Sequence, residues 1–462
     1  MSQDQNQSQN RFSAANTELS EQMENWQQQL PSCADKVLQL AKQKGATSAE
    51  LSVGASRGLS VNARMSEVET VEFNQDQSLS LTLYQGQRKG HVSITDLTDQ
   101  ALEQAVDMAL AFAEHTAEDP FAGLASAELM AESWQDPELY YPKPFDVDQL
   151  VDLSLVCESS GRQDSRITNS DGAGFHIGER TSLYANSHGF QGQLWGTNYS
   201  ASCVLIAGEG DQMQRDYWYD SQRQWDLLSS PEVIGQKAAE RTLMRLNPQK
   251  ISTRKVPVLF AAEVASGLLS HLMGAISGGS LYRNASFLKD RLGEQLFPDF
   301  VSVFEQPHLK GGVASAPYDQ EGIATRDNVF VADGVLQQYM LGSYSARKLG
   351  LETTANAGGA RNLRVSSTGE SYDQILSKLG TGLLVTELMG QGVNMVTGDY
   401  SRGAAGFWVE NGVIQYPVHE ITIAGNLQDM FSHIVAIGSD VDTRGNTQTG
   451  SILIEQMSVA GA

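Results

Sequence analysis

Glycine constrains this chain most tightly in one place, the stretch from Gly382 to Phe431. Glycines stand there at 382, 390, 392, 398, 403, 406, 412 and 425, with short β-prone pieces between them. Glycine in such a setting permits positive φ or lets two backbones approach closely, so the stretch reads as short strands and tight turns. Asp399, Tyr400, Ser401 and Arg402 lie in its middle, flanked by Gly398 and Gly403. On a loop, an Asp and an Arg so placed serve one of two ends. One is a self-bonded turn in a β-hairpin. The other is the binding of a backbone or a carboxylate, for which the planar fork of Arg402 is suited. Asp399, Tyr400 and Arg402 are therefore candidate contacts for a peptide or a partner, together with His419 further along the stretch.

With 462 residues the chain has room for two or three domains. Its apolar runs fall well short of the ~18 residues a membrane span needs, so no membrane association is expected. Residues 1–30 have neither a basic leader nor an apolar core, which argues against a secretory signal. Their Gln, Asn and Ser content reads as a flexible tail. The net charge of −23 opposes nucleic-acid binding, and the densest basic spot of the first domain is only Arg88-Lys89. The three cysteines, Cys33, Cys157 and Cys203, are odd in number and widely spaced. That favours reduced thiols in a cytoplasmic protein over a disulfide frame.

The hydrophobic pattern predicts α+β architecture in two domains: residues 31–250 with helices and antiparallel strands, and residues 251–462, β-rich around a buried helix. Ser32 reads as the cap of a helix running to Lys44. Strands follow around Val71, Phe73 and Leu79 to Leu83, then an amphipathic helix on Leu102, Ala105, Val106, Ala109 and Phe112. A further helix is expected near 147–159, a meander of strands over 165–219, and a helix opened by Ser230-Pro231 and closed by Asn247-Pro248. The second domain starts with a strand from Val256 to Phe260 and a helix from Glu263 to Ile276. That helix is apolar along Val264, Leu268, Leu272 and Ile276 and small-residued along Gly267, Ser270, His271, Gly274 and Ala275, a pattern that predicts burial on both sides.

Several chemical motifs are incomplete. A zinc protease needs two His at helical spacing with a Glu base, H-E-x-x-H. The His419-Glu420 pair sits in an alternating strand-like run with no second His, so a structural or interface role is expected for it. Gly54-Ala55-Ser56-Arg57-Gly58 matches the G-x-S-x-G elbow, but no helix follows, so it reads as a hairpin turn. Asp171 with Asn186-Ser187-His188, and Gly208 to Asp211 with Arg215 to Tyr217, are explained either by turn chemistry and local ion pairs or by a groove for an extended peptide or a partner.

The segment from Gly382, with several others, closely resembles the PmbA/TldE branch of the TldD/PmbA family, often labelled modulators of DNA gyrase. Asn169-Ser170-Asp171-Gly172 and Ala185 to Phe190 look like its two Asn-Ser turns, and similar runs are Cys203 to Tyr217, Ser315 to Thr325, Gly334 to Gly350 and Ser451 to Gly461. The likeness spans residues 31 to 462. It implies a cytoplasmic metallopeptidase complex in which a TldD-like partner holds zinc. That family is associated with maturing a gyrase-targeting peptide antibiotic and degrading an antitoxin and unfolded peptides. The TldD branch carries His-Glu, three residues, then His on a helix, plus a Cys ligand. Aligned on Leu268-Leu269, the present chain has Ser270, His271 and Ala275 there, and no Cys after Cys203. The resemblance thus implies no catalytic residue and no cofactor in this chain, peptide or unfolded-protein substrates shared with the partner, and a possible homo-oligomer in isolation. A self-sufficient peptidase and a non-enzymatic regulator of gyrase are the alternatives.

Overall fold

The structure, a computed structural model, describes residue 23, residues 25–144 and residues 146–461. They divide into two units. The first comprises the chain through Ile206 with Asp216–Glu240 and Gln320–Ala324; the second comprises Ala207–Arg215, Arg241–Asp319 and the chain from Thr325 on.

The first unit is built on long strands. Helix α1 (25–43) leads into β1 (Ser48–Arg64), β2 (Glu67–Gln85), β3 (Arg88–Ile94), α2 (Asp99–His115), α3 (Val147–Gly161), β4 (Ile167–Asn186), β5 (Gln191–Ala207) and β6 (Gln214–Gln222). The strands form one sheet in the order β3-β2-β1-β4-β5-β6. Alternation places Leu51 and Val53 of β1 and Leu79, Leu81 and Leu83 of β2 on one face, where Trp26, Leu30, Val37 and Ala41 of α1 and Leu102 and Val106 of α2 cover them. Burial of this set takes a large apolar surface out of water and stabilises the unit. Beyond Leu79, β2 changes character: every residue from Glu67 to Ser78 is exposed, and β1 is its one strand neighbour there among the described residues.

Three expectations are corrected here. The expected tail ends sooner than residue 30: residues 1–22 and 24 lie outside the described residues, but 25–30 are helical, with Trp26 and Leu30 buried. Ser32 is therefore interior to α1, where its hydroxyl donates to the Gln28 carbonyl at 3.0 Å, and caps nothing. Gly54 and Gly58 lie mid-strand in β1, so the G-x-S-x-G run is neither elbow nor hairpin turn. The fit is tight at both glycines: a Cβ would stand 3.1 Å from the Thr181 carbonyl at Gly54 and 3.0 Å from the His176 ring at Gly58.

Helix α4 (Pro231–Met244) precedes β7 (Arg254–Phe260), α5 (Ala262–Ala275), α6 (Gly278–Tyr282), β8 (Val303–Glu305), β9 (Asn328–Ala332), β10 (Val335–Leu336), α7 (Ser343–Leu349), β11 (Leu363–Val365), α8 (Tyr372–Leu379), β12 (Gly382–Met389), β13 (Asp399–Glu410), β14 (Val413–Asn426), α9 (Leu427–Ser432), β15 (Ile434–Ile437), β16 (Thr447–Gln448) and β17 (Ile452–Ala460). In the second unit one sheet runs β10-β9-β8-β11-β16. The other runs β14-β13-β12-β7-β17-β15, and a further pairing of β14 with β17 closes its first five strands into a barrel. Period two sorts the barrel residues. Val258, Phe260, Leu383, Val385, Ile452 and Ile454 join the cluster that contains Leu268, Leu269 and Leu272 of α5. Leu259, Leu384 and Leu453 face the other way, onto Ile375, Leu376 and Leu379 of α8. The α+β class, with helices and antiparallel strands first and a β-rich second part around a largely buried helix, is as the pattern predicts.

Candidate functional site

Helix α5 and the first residues of β13 meet in the second unit and set the site. The apolar side of α5 is buried through Ala265, Leu268, Leu269, Leu272 and Met273. Its small-residue side is buried only in part: Ala275 is buried, but Ser270 is exposed and Gly267, His271 and Gly274 are half-covered. A Cβ at Gly267 would meet nothing within 4 Å, and one at Gly274 only the Met395 methyl at 3.4 Å. Asp399 to Arg402 are not on a loop, as the flanking glycines suggest, but begin β13. Strand alternation then divides them. Asp399 and Ser401 are exposed, whereas Tyr400 is 2% exposed and Arg402 is half-buried on the other face.

That face brings Tyr400 and Arg402 to His271. The His271 and Tyr400 rings stand edge to face, centroids 5.9 Å apart at 76°. The Arg402 guanidinium is near enough to act electrostatically on both, although it does not reach hydrogen-bond geometry with the Tyr400 hydroxyl. His271 Nε2, the Tyr400 hydroxyl and Arg402 Nε are all buried without a hydrogen-bond partner. The His271 Nε2 is thus left unsatisfied within the fold. Burial, reinforced by the Arg402 charge, moves its pKa below the usual histidine value, so the ring is neutral at pH 7. Burial pushes the Tyr400 hydroxyl up to about 12, with Arg402 pulling it back in part. The cluster therefore consists of a neutral imidazole, a neutral O–H and a fixed cation.

The other candidates lie elsewhere. Asp399 is engaged in its turn: its carboxylate accepts from Thr397 Oγ1 at 2.7 Å and Asn426 Nδ2 at 3.3 Å. His419 and Glu420 form a bulge in β14, where pairing passes from Ala404–Ile421 to Gly406–Val418 and Glu420 takes φ 54°. His419 is half-buried and makes no hydrogen bond or ring contact with Tyr400 or Arg402. Asn186 closes the turn between β4 and β5, its side-chain oxygen accepting from His188 N at 3.0 Å. The part of His271 was missed because its partners come from a strand more than a hundred residues away. The hairpin expected at Asp399 to Arg402 turns instead at Asn411-Gly412, both at positive φ, which join β13 to β14 and carry a strong turn signal.

Comparison with known proteins gives a consistent picture. Residues 253–461, 140–246 and 49–113 match, respectively, the PmbA/TldA metallopeptidase C-terminal domain, central domain and domain 1. The chain is 49% identical over 433 residues to metalloprotease PmbA of Escherichia coli O157:H7, covering 94% of this chain and 96% of that one. It is 48% identical to the PmbA homolog of Haemophilus influenzae, covering 94% and 97%. A crystal structure from Bacteroides thetaiotaomicron, named as a candidate modulator of DNA gyrase, superimposes with a TM-score of 0.89 at 28% identity, covering 94% of this chain and 99% of that one.

Metallopeptidase kinship implies a zinc ion, and the residues at α5 do not fit one. Zinc takes neutral His, thiolate or carboxylate ligands, usually four. Here Ala275 has no donor atom, the exposed Ser270 hydroxyl donates to the Ser266 carbonyl at 3.1 Å, and His271 lies within the electrostatic reach of the Arg402 cation, which opposes a second positive charge. Among the described residues no three His, Cys, Asp or Glu side chains converge in a metal-holding group.

Proposed function

The chain belongs to the PmbA/TldD metallopeptidase family, and we propose that within it this protein is the non-catalytic subunit of a cytoplasmic TldD/TldE-type complex that processes or degrades peptides. The observation that carries this reading is the exchange of chemistry at α5. Where the resemblance calls for two zinc-binding histidines and a Glu base, this chain presents Ser270, His271 and Ala275 beside the Arg402 cation. A TldD-like partner then supplies the zinc and the bond cleavage. This chain supplies part of the enclosure and holds the peptide. Surface suited to a partner supports the reading: β2 from Glu67 to Ser78 is fully exposed and carries Val68, Val71 and Phe73, the last 54% exposed.

Metal analysis of the purified chain tests the proposal. The expected result is far less than one zinc per chain, unchanged in a His271→Ala variant. About one zinc per chain, lost in that variant, overturns it.

A further inference from the structure

The ribbon of β1 and β2 runs on past the end of β3. Strand β3 pairs with β2 from Gln85 to Leu79, where Ile94 is the last partner, and the chain then leaves for α2. From Ser78 to Glu67 the outer edge of β2 has no strand beside it among the described residues, and every residue there is exposed. The N–H and C=O groups along such an edge are a template for another strand. The ribbon is also held in shape at its tip. Met65 and Ser66 turn it at positive φ, and their backbone N–H groups donate to the two carboxylate oxygens of Glu158 at 2.7 and 2.8 Å. Glu158 lies on α3 and is 1% exposed, so a buried carboxylate fixes the turn.

The side chains show what an added strand would have to bring. The register pairs Phe73 with Leu59, Val71 with Val61 and Val68 with Ala63, which puts the three β2 residues on one face. It is the face that Leu79, Leu81 and Leu83 present to the core. Past Leu79 it is uncovered on β2: Val61 and Ala63 of β1 are buried, but Val68, Val71 and Phe73 are 43%, 47% and 54% exposed. The opposite face carries Glu72 and Asp76, with Glu67 near the tip. None of these three acids forms an ion pair among the described residues; Glu69 does, with Arg64 at 3.4 Å. Charges of one sign on an otherwise pairable edge select its partner. A second copy of this chain would set the same carboxylates against these, which cross-strand pairing disfavours. A strand with apolar residues on one face and Lys or Arg on the other is complementary to both faces.

We propose that the free edge of β2, from Glu67 to Ser78, receives a strand of the partner subunit, apolar on the Phe73 face and basic on the Glu72 face, in the place where β3 stops. At roughly 3.3 Å per residue the added strand would run about 40 Å along β2. The partner as source of the strand rests on the complex proposed above; the chemistry of the strand rests on β2 alone.

The test mixes the full chain with the TldD-like protein of the same organism, measures the Kd of the joint species, and follows hydrogen exchange residue by residue in β2. Assembly is expected to slow exchange by about ten-fold or more at alternate residues between 67 and 78, those whose N–H points away from β1, and to weaken as salt rises. Val71→Lys with Phe73→Lys, and Glu72→Lys with Asp76→Lys, should each weaken assembly by about ten-fold or more without lowering the melting temperature, whereas Phe73→Leu should keep it. If a double variant melts lower, the exchange pattern of the wild type decides. A joint species whose β2 amides exchange as in the free chain, or which both double variants form as tightly as wild type, overturns this inference and leaves the complex standing. Protection of the same amides in the chain alone overturns it as well, in favour of a second copy where protection grows with concentration, and of the chain's own residues 1–22 where it disappears on their removal. No joint species at all removes the complex and this inference with it.

Discussion

Arg402 is a half-buried cation with no counter-ion among the described residues, set near a buried tyrosine and a half-buried imidazole. Such a charge costs stability, and an apolar residue of similar length relieves that cost. Arg402→Met should therefore raise stability by about 1 kcal/mol, roughly 2–4 °C in melting temperature if the second unit melts by itself as a unit of about 150–250 residues. A melting temperature that falls would show that Arg402 is already satisfied. His271 gives a second expectation, with a definite sign. Its folded pKa lies below the unfolded value, so below about pH 6.5 the unfolded state binds more protons. Stability contributed by the neutral ring is complete above the unfolded pKa and is lost as pH falls through the folded one. Denaturant titrations of wild type and His271→Gln should diverge in that acid window, with the variant losing less on acidification. Parallel curves would contradict the assigned burial.

Elements with a strong hydrophobic period were legible in the sequence: α2, α3, α4 and β7 lie where the pattern puts them. What was not legible depended on contacts distant in the chain. A G-x-S-x-G run looks like a turn until β4 is paired against it, and the start of α1 is hidden in a Gln-rich stretch whose Trp26 and Leu30 matter only because β1 and β2 lie beneath them. The same holds for the site, where Arg402 was found from its type and its glycines, but His271 acquired meaning only from Tyr400. Gly90 shows how closely elements approach. It sits in β3 under α2, and a Cβ there would lie 1.9 Å from the Ala109 carbonyl. Gly90→Ala must push α2 off the sheet and should cost about 3 kcal/mol, read by denaturant unfolding. A change under about 0.5 kcal/mol, the usual range for a surface substitution, would mean that α2 is more loosely seated than its packing indicates.

For the molecule as a whole, the two units differ in what they expose. The first presents the long exposed stretch of β2, with Glu67, Glu69, Glu72 and Asp76 among its apolar residues. The second presents the segment from Met389 to Thr397, exposed except at the half-buried Val393 and Met395. An obligate pairing of chains usually buries more than roughly 2,000 Å² in total, and these two surfaces are the places to look for it. The assignment of this chain as the subunit without the zinc chemistry stands or falls on reconstitution. Peptide cleavage is measured for the chain alone, for the TldD-like protein of the same organism alone, and for their mixture, with the mass of each species determined. The mixture should form a joint species and cleave, while this chain alone stays inactive. Robust cleavage by this chain alone, persisting through removal of trace contaminants, would contradict it.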